Sequence, residues 1–272
     1  AIKVLSRSIE GNFHRLQFTP DLLPADLTGT DIYRPQEGTF EFRKGPLFHN
    51  LILADEINRA PAKVQSALLE AMEERQISVG DKSYPLEDLF MVMATQNPIE
   101  QEGTYPLPEA QLDRFLMHVE VDYPTKENEQ QILALNRNEA KELERDLFQP
   151  SELLSLDSIM QARREILDLY LSPELEDYIV NIVLATRNPN LVNDSLIGQI
   201  LYGASPRASI SIDRSARAHA WLLGKDYVGP EDIQAVTPDV LRHRLVLSFE
   251  AEADGVDSSS VIKGVLDGVG VP

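Results

Sequence analysis

In the run Leu51-Ile52-Leu53-Ala54-Asp55-Glu56, four apolar residues lead directly into two adjacent carboxylates. An unbroken apolar run of this kind is typical of a central strand buried on both faces of a parallel sheet. Ligands bind at the carboxyl ends of such strands, where Asp55 and Glu56 stand. In phosphoryl transfer one carboxylate holds Mg²⁺ and another group orients the attacking water, roles that suit Asp55 and Glu56 respectively. The alternative is a pair that begins a loop and caps the helix after Pro61.

A second polar group follows the next apolar segment, in Met93-Ala94-Thr95-Gln96-Asn97-Pro98. Residues 90–95 are predicted to form another buried strand that ends at the same edge of the sheet. A neutral amide at that edge can hold the water or the γ-phosphate through hydrogen bonds, so Asn97 joins the candidate site. An asparagine before proline is also an ordinary turn, which is the alternative.

Two arginines are candidates for binding an anion. Arg114 lies just before residues 115–121, which are predicted to form a further strand. Arg207 is the second residue of a helix predicted to begin at Pro206, where a cation opposes the helix macrodipole by roughly some tenths of a kcal/mol. A residue placed against its local electrostatics is expected to serve an anion elsewhere. The alternative for each arginine is a solvated side chain.

The chain changes character after Tyr123-Pro124. The first half alternates short apolar strands with amphipathic helices, the pattern of a parallel sheet covered by helices. The second half is predicted to be helical and begins with a strongly charged segment at Lys126. We therefore predict an α/β core over residues 1–125 and a charged connector with an all-α second domain over residues 126–272.

Two segments between the core elements have the pattern of antiparallel hairpins. The first contains Thr39-Phe40-Glu41-Phe42-Arg43, and Lys44-Gly45-Pro46 is predicted to turn the chain. The second joins Ile77-Ser78-Val79 to Ser83-Tyr84 through Gly80-Asp81. Because loops tolerate insertions, two interpretations of these hairpins stay open: insertions without a function, and segments with a functional role.

Composition excludes several classes of protein. Without cysteine, the 272 residues cannot form disulfide scaffolds, thiolate zinc sites or cysteine nucleophiles, and the five histidines lack metal-ligand spacing. A net charge of −19, from 25 basic and 44 acidic residues, opposes non-specific binding to nucleic acid or anionic lipid. The apolar runs are far shorter than the about 18 residues that span a bilayer. Since residues 1–20 also lack the pattern of a signal peptide, a soluble cytoplasmic protein is expected.

Six motifs, in the same order along the chain, resemble those of MoxR-type AAA+ ATPases, which belong to the helix-2 insert clade. The resemblance covers essentially the whole chain. The motifs are Gln17-Phe18-Thr19-Pro20-Asp21-Leu22-Leu23-Pro24-Ala25-Asp26-Leu27-Thr28-Gly29, Ala54-Asp55-Glu56-Ile57-Asn58-Arg59-Ala60-Pro61, Ala94-Thr95-Gln96-Asn97-Pro98, Pro108-Glu109-Ala110-Gln111-Leu112-Asp113-Arg114-Phe115, Gly203-Ala204-Ser205-Pro206-Arg207 and Leu241-Arg242-His243-Arg244.

The resemblance implies a role for each candidate residue. Asp55 and Glu56 match the Walker B pair, for magnesium binding and water activation, and Asn97 matches sensor 1. Arg114 matches the arginine finger, which reaches the nucleotide of a neighbouring subunit. Arg207 matches sensor 2, by which the helical lid domain contacts the γ-phosphate. The implied cofactors are ATP and Mg²⁺, and the implied fold is a parallel-sheet αβα AAA+ core with an all-α lid domain.

The resemblance also implies an oligomeric state and a biological function. Such proteins are similar to ring-forming, usually hexameric, chaperone-like ATPases that remodel protein clients. The two hairpins match the helix-2 insert and the pre-sensor-1 insert, which face the ring pore and couple hydrolysis to a client. Family members commonly work with proteins that bear a von Willebrand factor A domain and help to mature cofactor-containing complexes.

One element of the family pattern is not found in this chain. The family has a Gly-rich Walker A loop ending in Gly-Lys-Ser or Gly-Lys-Thr, whose backbone N–H groups and lysine hold the phosphates. None of the 272 residues has this form, and residue 1 already stands inside the helical pattern that the loop would begin. We expect truncation, or a disordered loop left out of the numbering, and therefore expect the 272-residue chain alone to be inactive.

Two other functions compete with an ATP-driven remodelling motor. A catalytically silent interaction module would keep the fold without nucleotide, but all five candidate site residues are intact, which argues against it. A nucleic-acid motor is opposed by the net charge of −19 and by hairpins that are not basic.

Overall fold

The computed structural model describes residues 2–97, 103–141, 153–192 and 194–272. Among these residues, no helix has both the length and the apolar character needed to cross a bilayer. The strands are β1 (Phe13–Gln17), β2 (Gly29–Arg34), β3 (Thr39–Lys44), β4 (Leu51–Asp55), β5 (Gln76–Val79), β6 (Lys82–Pro85), β7 (Met91–Ala94), β8 (Ile200–Tyr202) and β9 (Val246–Leu247). The α-helices are α1 (Ile2–Ser8), α2 (Pro24–Thr28), α3 (Ala62–Glu74), α4 (Glu109–Leu112), α5 (Lys126–Lys141), α6 (Leu156–Asp168), α7 (Pro173–Arg187), α8 (Pro206–Leu222), α9 (Pro230–Leu241), α10 (Phe249–Ala253) and α11 (Ser258–Gly268).

The central sheet is parallel and has the strand order β1-β4-β7. The middle strand, β4, buries its four apolar residues, as the sequence predicted. The register pairs Gln17 with Asp55 and Ala54 with Ala94, so the three strands end at one edge. This register places the predicted carboxylates where neighbouring strands can contribute side chains.

Two hydrophobic clusters form around different sets of elements. The first surrounds the sheet and α3, where Val64, Leu68 and Leu69 are fully buried. The second is built by α7, α8, α9 and α11, with Ile212 and Ile233 fully buried. These clusters confirm the predicted fold class, an α/β core with a helical second domain, called the lid domain below. The boundary at residue 125 stays a prediction.

The lid domain contains one feature that the sequence did not predict. Strands β8 and β9 form a short antiparallel ladder, in which Ile200 pairs with Leu247 and Tyr202 with Val246. The helices agree with the predicted helical second half, and α8 begins at Pro206, as expected. Ser205 caps α8 by accepting a hydrogen bond from the Arg207 backbone N–H.

Both predicted hairpins are present, but the first turn is not where it was expected. Strands β2 and β3 pair antiparallel, and the Gly38 N–H donates to the Arg34 carbonyl across their turn. The turn predicted at Lys44-Gly45-Pro46 is wrong, since Lys44 pairs with Gly29 at the base of the hairpin. Gly45 is needed there for another reason, because a Cβ would lie 2.3 Å from the Leu27 carbonyl oxygen. The second hairpin, β5-β6, turns at Gly80-Asp81 as predicted.

The strand predicted over residues 115–121 is wrong. The His118 N–H donates to the Asp239 carbonyl of α9, over 2.8 Å. The Arg242 guanidinium donates to the His118 carbonyl over 2.6 Å, and Arg244 donates to the Phe115 carbonyl over 2.6 Å. Residues of the lid domain therefore form hydrogen bonds with backbone N–H and C=O groups that would otherwise pair with a neighbouring strand.

Candidate active site

The carboxyl ends of the parallel strands bring together a group of polar side chains that we call the acid edge. Its members are Arg15, Gln17, Asp55, Glu56 and Thr95. The Asp55 carboxylate accepts a hydrogen bond from Arg15 Nε over 3.0 Å at one oxygen and from the Thr95 hydroxyl over 2.5 Å at the other. Because the Arg15 side chain is half exposed, this ion pair contributes little to stability.

Glu56 stands in a strained backbone conformation at the end of β4. Its φ of 57° and ψ of 51° lie in the left-handed region, at a cost of about 1–3 kcal/mol for a residue other than glycine. The strand next to it holds this turn, since Glu56 N–H donates to the Thr95 hydroxyl and Ile57 N–H donates to the Thr95 carbonyl. Strain of this kind clusters at functional sites, where the surrounding structure maintains it.

The Glu56 side chain is held by two donors at one oxygen. Gln17 Nε2 donates to Glu56 Oε2 over 2.8 Å, and an Arg59 guanidinium nitrogen donates to the same atom over 2.9 Å. The side chain is 27% exposed, so water reaches it although its orientation is fixed. A partly exposed, oriented carboxylate can position a water molecule and accept its proton.

Sequence reasoning missed Gln17 and Thr95 as parts of the site. Both lie at or just past the end of a strand that neighbours β4 in the sheet. The signal was therefore available: in a parallel sheet, the last polar residue of each neighbouring strand faces the same edge. Asn97 lies two residues past Thr95 and is half-buried, and its role toward water or phosphate stays a prediction.

Arg114 and Arg207 meet at a different place, on a carboxylate that the sequence did not single out. Arg114 pairs with Glu73 Oε2 over 2.9 Å, and Arg207 pairs with the other oxygen of Glu73. Glu73 belongs to the last turn of α3, whereas Arg207 comes from the first turn of α8 in the lid domain. We call these three residues the arginine cluster. The described contacts of its arginines go to Glu73 and Asp113 rather than to the acid edge.

A cleft of about 280 Å³ opens beside the arginine cluster. It is small for a nucleotide, since ligand pockets usually measure about 300–1,000 Å³. Three glutamates in its lining would also repel phosphates, so this cleft is not a nucleotide pocket. The lining residues are Ser66, Leu69, Glu70, Glu73, Glu74, Gln111 and Arg114.

An open parallel sheet with carboxylates at its edge, joined to a helical domain, fits the class of AAA-type ATPases. Two family models match the chain in agreement with this class. The model described as "ATPase family associated with various cellular activities (AAA)" matches residues 1–117, and the AAA lid domain model matches residues 198–265.

Individual relatives narrow the class to a family. Chaperone MoxR1 of Mycobacterium tuberculosis is 45% identical over 276 residues, which cover 100% of this chain and 71% of that protein. The protein MoxR of Paracoccus denitrificans is 32% identical over 263 residues, covering 91% of this chain and 76% of that protein. A crystal structure of an inferred ATPase from Cytophaga hutchinsonii has a TM-score of 0.88 and 46% identity, covering 100% of this chain and 81% of that one.

The chain therefore belongs to the MoxR family of AAA ATPases, whose members are chaperone-like ATP hydrolases. The resemblance that the six motifs carried is confirmed, and so is the αβα AAA+ core with its lid domain. Membership implies nucleotide binding.

Proposed function

We propose that this chain is a subunit of a ring-shaped, ATP-driven remodelling protein in which neighbouring subunits share each hydrolysis site. The observation that carries this proposal is the separation of the acid edge from the arginine cluster. Phosphoryl transfer needs a carboxylate near the attacking water and cations near the transferred phosphoryl group. Since Arg114 contacts Glu73 within its own chain, a neighbouring copy is a suitable source of this cation for each acid edge.

The donor chemistry of the acid edge fits ATP bound with Mg²⁺. Magnesium binds through one or two carboxylates plus substrate phosphates, and Asp55 offers such a carboxylate. No group of three or more His, Cys, Asp or Glu side chains that could hold a metal ion occurs among the described residues. This fits a metal ion that arrives with the nucleotide rather than one held in a protein cage. When bound, it supplies charge neutralisation at the phosphates.

The chain's own residues divide the remaining work. Glu56 orients the attacking water and accepts its proton, while Gln17 fixes the Glu56 carboxylate through the hydrogen bond described above. Asn97 holds the water or the γ-phosphate by its amide. Arg114 and Arg207 stabilise the negative charge that spreads over the phosphoryl oxygens.

The two hairpins are proposed to contact a protein client. The Phe42 ring of β3 stacks on the Tyr84 ring of β6, with centroids 4.3 Å apart, so the hairpins touch each other. Near the tip of the first hairpin, Tyr33 and Phe40 pair across the strands and are 51% and 71% exposed. Exposed aromatic side chains supply large contact area at low entropic cost, which suits them to grip a polypeptide.

The resemblance supplies the finer parts of this proposal. The ring is a homo-hexamer in the cytoplasm, and it acts with a partner that bears a von Willebrand factor A domain. The work is remodelling of a protein client or assembly of a cofactor-containing complex. The net charge of −19 supports a protein client over nucleic acid.

Nucleotide titration tests the proposal. The 272 residues contain no Gly-rich loop ending in Gly-Lys-Ser or Gly-Lys-Thr, the element that gives most of the affinity for triphosphates. The chain alone should therefore bind Mg-ATP weakly and hydrolyse none. A longer protein that adds such a loop ahead of α1 should gain both activities together. Calorimetry and phosphate release are the measurements, and a longer protein that neither bound nor hydrolysed Mg-ATP would contradict the proposal. Micromolar binding by the 272-residue chain would show that the affinity does not come from that loop.

A further inference from the structure

Arg244 is a buried hub that holds the segment around Arg114 against the lid domain. It lies in the motif Leu241-Arg242-His243-Arg244, to which the proposed function gives no role. The residue is 7% exposed, and its guanidinium contacts side chains and carbonyls from several parts of the chain. The acceptors are Asp113 Oδ1 (2.9 Å), the carbonyls of Asp113 (3.2 Å), Phe115 (2.6 Å), Leu116 (3.2 Å) and Val240 (2.5 Å), and the Ser211 hydroxyl (3.3 Å).

Asp113 connects the hydrogen bonds of Arg244 to the helix that carries Arg207. Its second carboxylate oxygen accepts a hydrogen bond from the Ser205 hydroxyl over 2.8 Å. Ser205 is the N-cap of α8, and its hydroxyl in turn accepts from the Arg207 backbone N–H over 3.2 Å. One carboxylate is thus next to Arg114 in the chain and linked to Arg207 through a single side chain.

We infer that Asp113 and Arg244 are positioning residues, which fix Arg114 and Arg207 as one unit on the lid domain. This inference rests on the proposed function, in which those two arginines serve a nucleotide. The buried guanidinium holds the carbonyls of Asp113, Phe115 and Leu116, and the Asp113 carboxylate accepts from Ser205, the N-cap of α8. The segment around Arg114 and the start of α8 are therefore linked to each other through Asp113.

Energetics favour a rigid link over a weak surface contact. Arg244 is buried with its donors satisfied, and removing the Asp113 charge would leave it uncompensated in a site of low dielectric. A planar guanidinium that donates to several fixed acceptors also restricts geometry more than a single point charge does. Misplacing a reactive group by about 1 Å can lower a rate by about 10²-fold, so positioning of this kind has a kinetic consequence.

Hydrogen exchange tests the link without any measurement of activity. Asp113→Asn in the full-length protein should speed amide exchange at residues 114–118 and at residues 207–208 together, with β4 and β7 unchanged. The matched control is Asp213→Asn, which removes another Asp–Arg pair of α8, with Arg217, and should leave residues 114–118 unchanged. Faster exchange in only one of the two stretches, or in neither, would overturn the link.

ATPase kinetics test the positioning role. Asp113→Asn should lower kcat by about tenfold or more with a small change in KM, because the arginines act in the transition state. In an Arg114→Ala background, the same substitution should cause a smaller loss than in the wild type, because only the placement of Arg207 is left to disturb. Arg244→Lys, which keeps the charge but has fewer donors, should behave like Asp113→Asn and serves if that variant does not fold.

The outcomes separate this inference from the function on which it rests. Losses of kcat that multiply independently in the double variant would show Asp113 to be merely structural and would overturn the positioning role. A full-length protein with no ATPase activity would instead overturn the proposed function, and the exchange experiment would still decide whether the two segments are linked.

Discussion

The acid edge and the arginine cluster are held in place by different physical means. Backbone ladders of the parallel sheet set the acid edge, since Gln17, Asp55 and Thr95 lie at the ends of hydrogen-bonded strands. The arginine cluster depends on ion pairs between partly exposed side chains from α3, the segment before residue 115, and the lid domain. The acid edge is therefore rigid, whereas the two arginines of the cluster can exchange Glu73 for another anion at a low cost in free energy. This contrast suits a site in which a rigid acid half meets a mobile cationic half.

Arg114→Ala should produce the largest functional loss. An arginine that stabilises the phosphoryl-transfer transition state contributes about 10³-fold or more to kcat. Steady-state ATPase assays on the full-length protein would measure this change, with Arg164→Ala as a control at an exposed arginine of α6. A variant with unchanged kcat would show that the arginine cluster has no part in hydrolysis.

Glu56→Gln, a substitution in the acid edge, should produce the next largest loss of turnover. Turnover should fall by about 10²-fold or more, because the amide cannot accept a proton, while ATP binding stays near normal. Phosphate release and nucleotide titration measure the two quantities separately. Glu127→Gln, at an exposed position of α5, is the control. Turnover at the wild-type rate would remove Glu56 from the mechanism.

Acidification should lower the free energy of unfolding through His243, the neighbour of Arg244 in the chain. Burial, together with the Arg244 charge, lowers the pKa of His243 from 6.5 to about 4, and its Nε2 lies 3.1 Å from the Phe115 carbonyl, to which it donates. Because the unfolded state binds this proton first, folding stability falls as the pH drops from 6.5 to about 4. The loss approaches about 3 kcal/mol at the lower limit.

Denaturant unfolding of the wild type and of His243→Gln, at pH 7.5 and pH 5, measures this contribution. The variant keeps an amide donor for the Phe115 carbonyl but does not titrate, so its stability should fall less on acidification. Equal pH dependence in the two proteins would show that His243 does not carry the effect.

Gln17→Ala should have the smallest effect of the series. It removes one hydrogen bond to the Glu56 carboxylate, a contact worth about 1 kcal/mol, so kcat should fall by roughly five- to tenfold. Gln161→Ala is the matched control, since Gln161 donates to Glu165 within an exposed helix. If Gln17→Ala changed KM alone, the orienting role of Gln17 would be wrong.

The comparison also explains what the sequence could predict. Asp55 and Glu56 were predictable because a buried strand and the residues that follow it form one local pattern. The convergence of Arg114 and Arg207 on Glu73 was not, since it joins residues from distant parts of the chain. The prediction of a strand over residues 115–121 was wrong for the same reason, because residues distant in the chain contact this segment. Local pattern cannot show whether a backbone finds another strand or, as here, the side chains of Arg242 and Arg244.

Mixing two inactive variants tests most directly whether the acid edge and the arginine cluster of different subunits act together. Rings that contain both Arg114→Ala and Glu56→Gln subunits include interfaces where an intact Glu56 faces an intact Arg114. Sedimentation would confirm that the two variants assemble together. As a control, the doubly substituted chain mixed with Arg114→Ala provides no such interface and should stay inactive. Co-assembled rings of the two single variants should recover ATPase activity, whereas rings as inactive as either parent would show that the acid edge and Arg114 of different subunits do not act together.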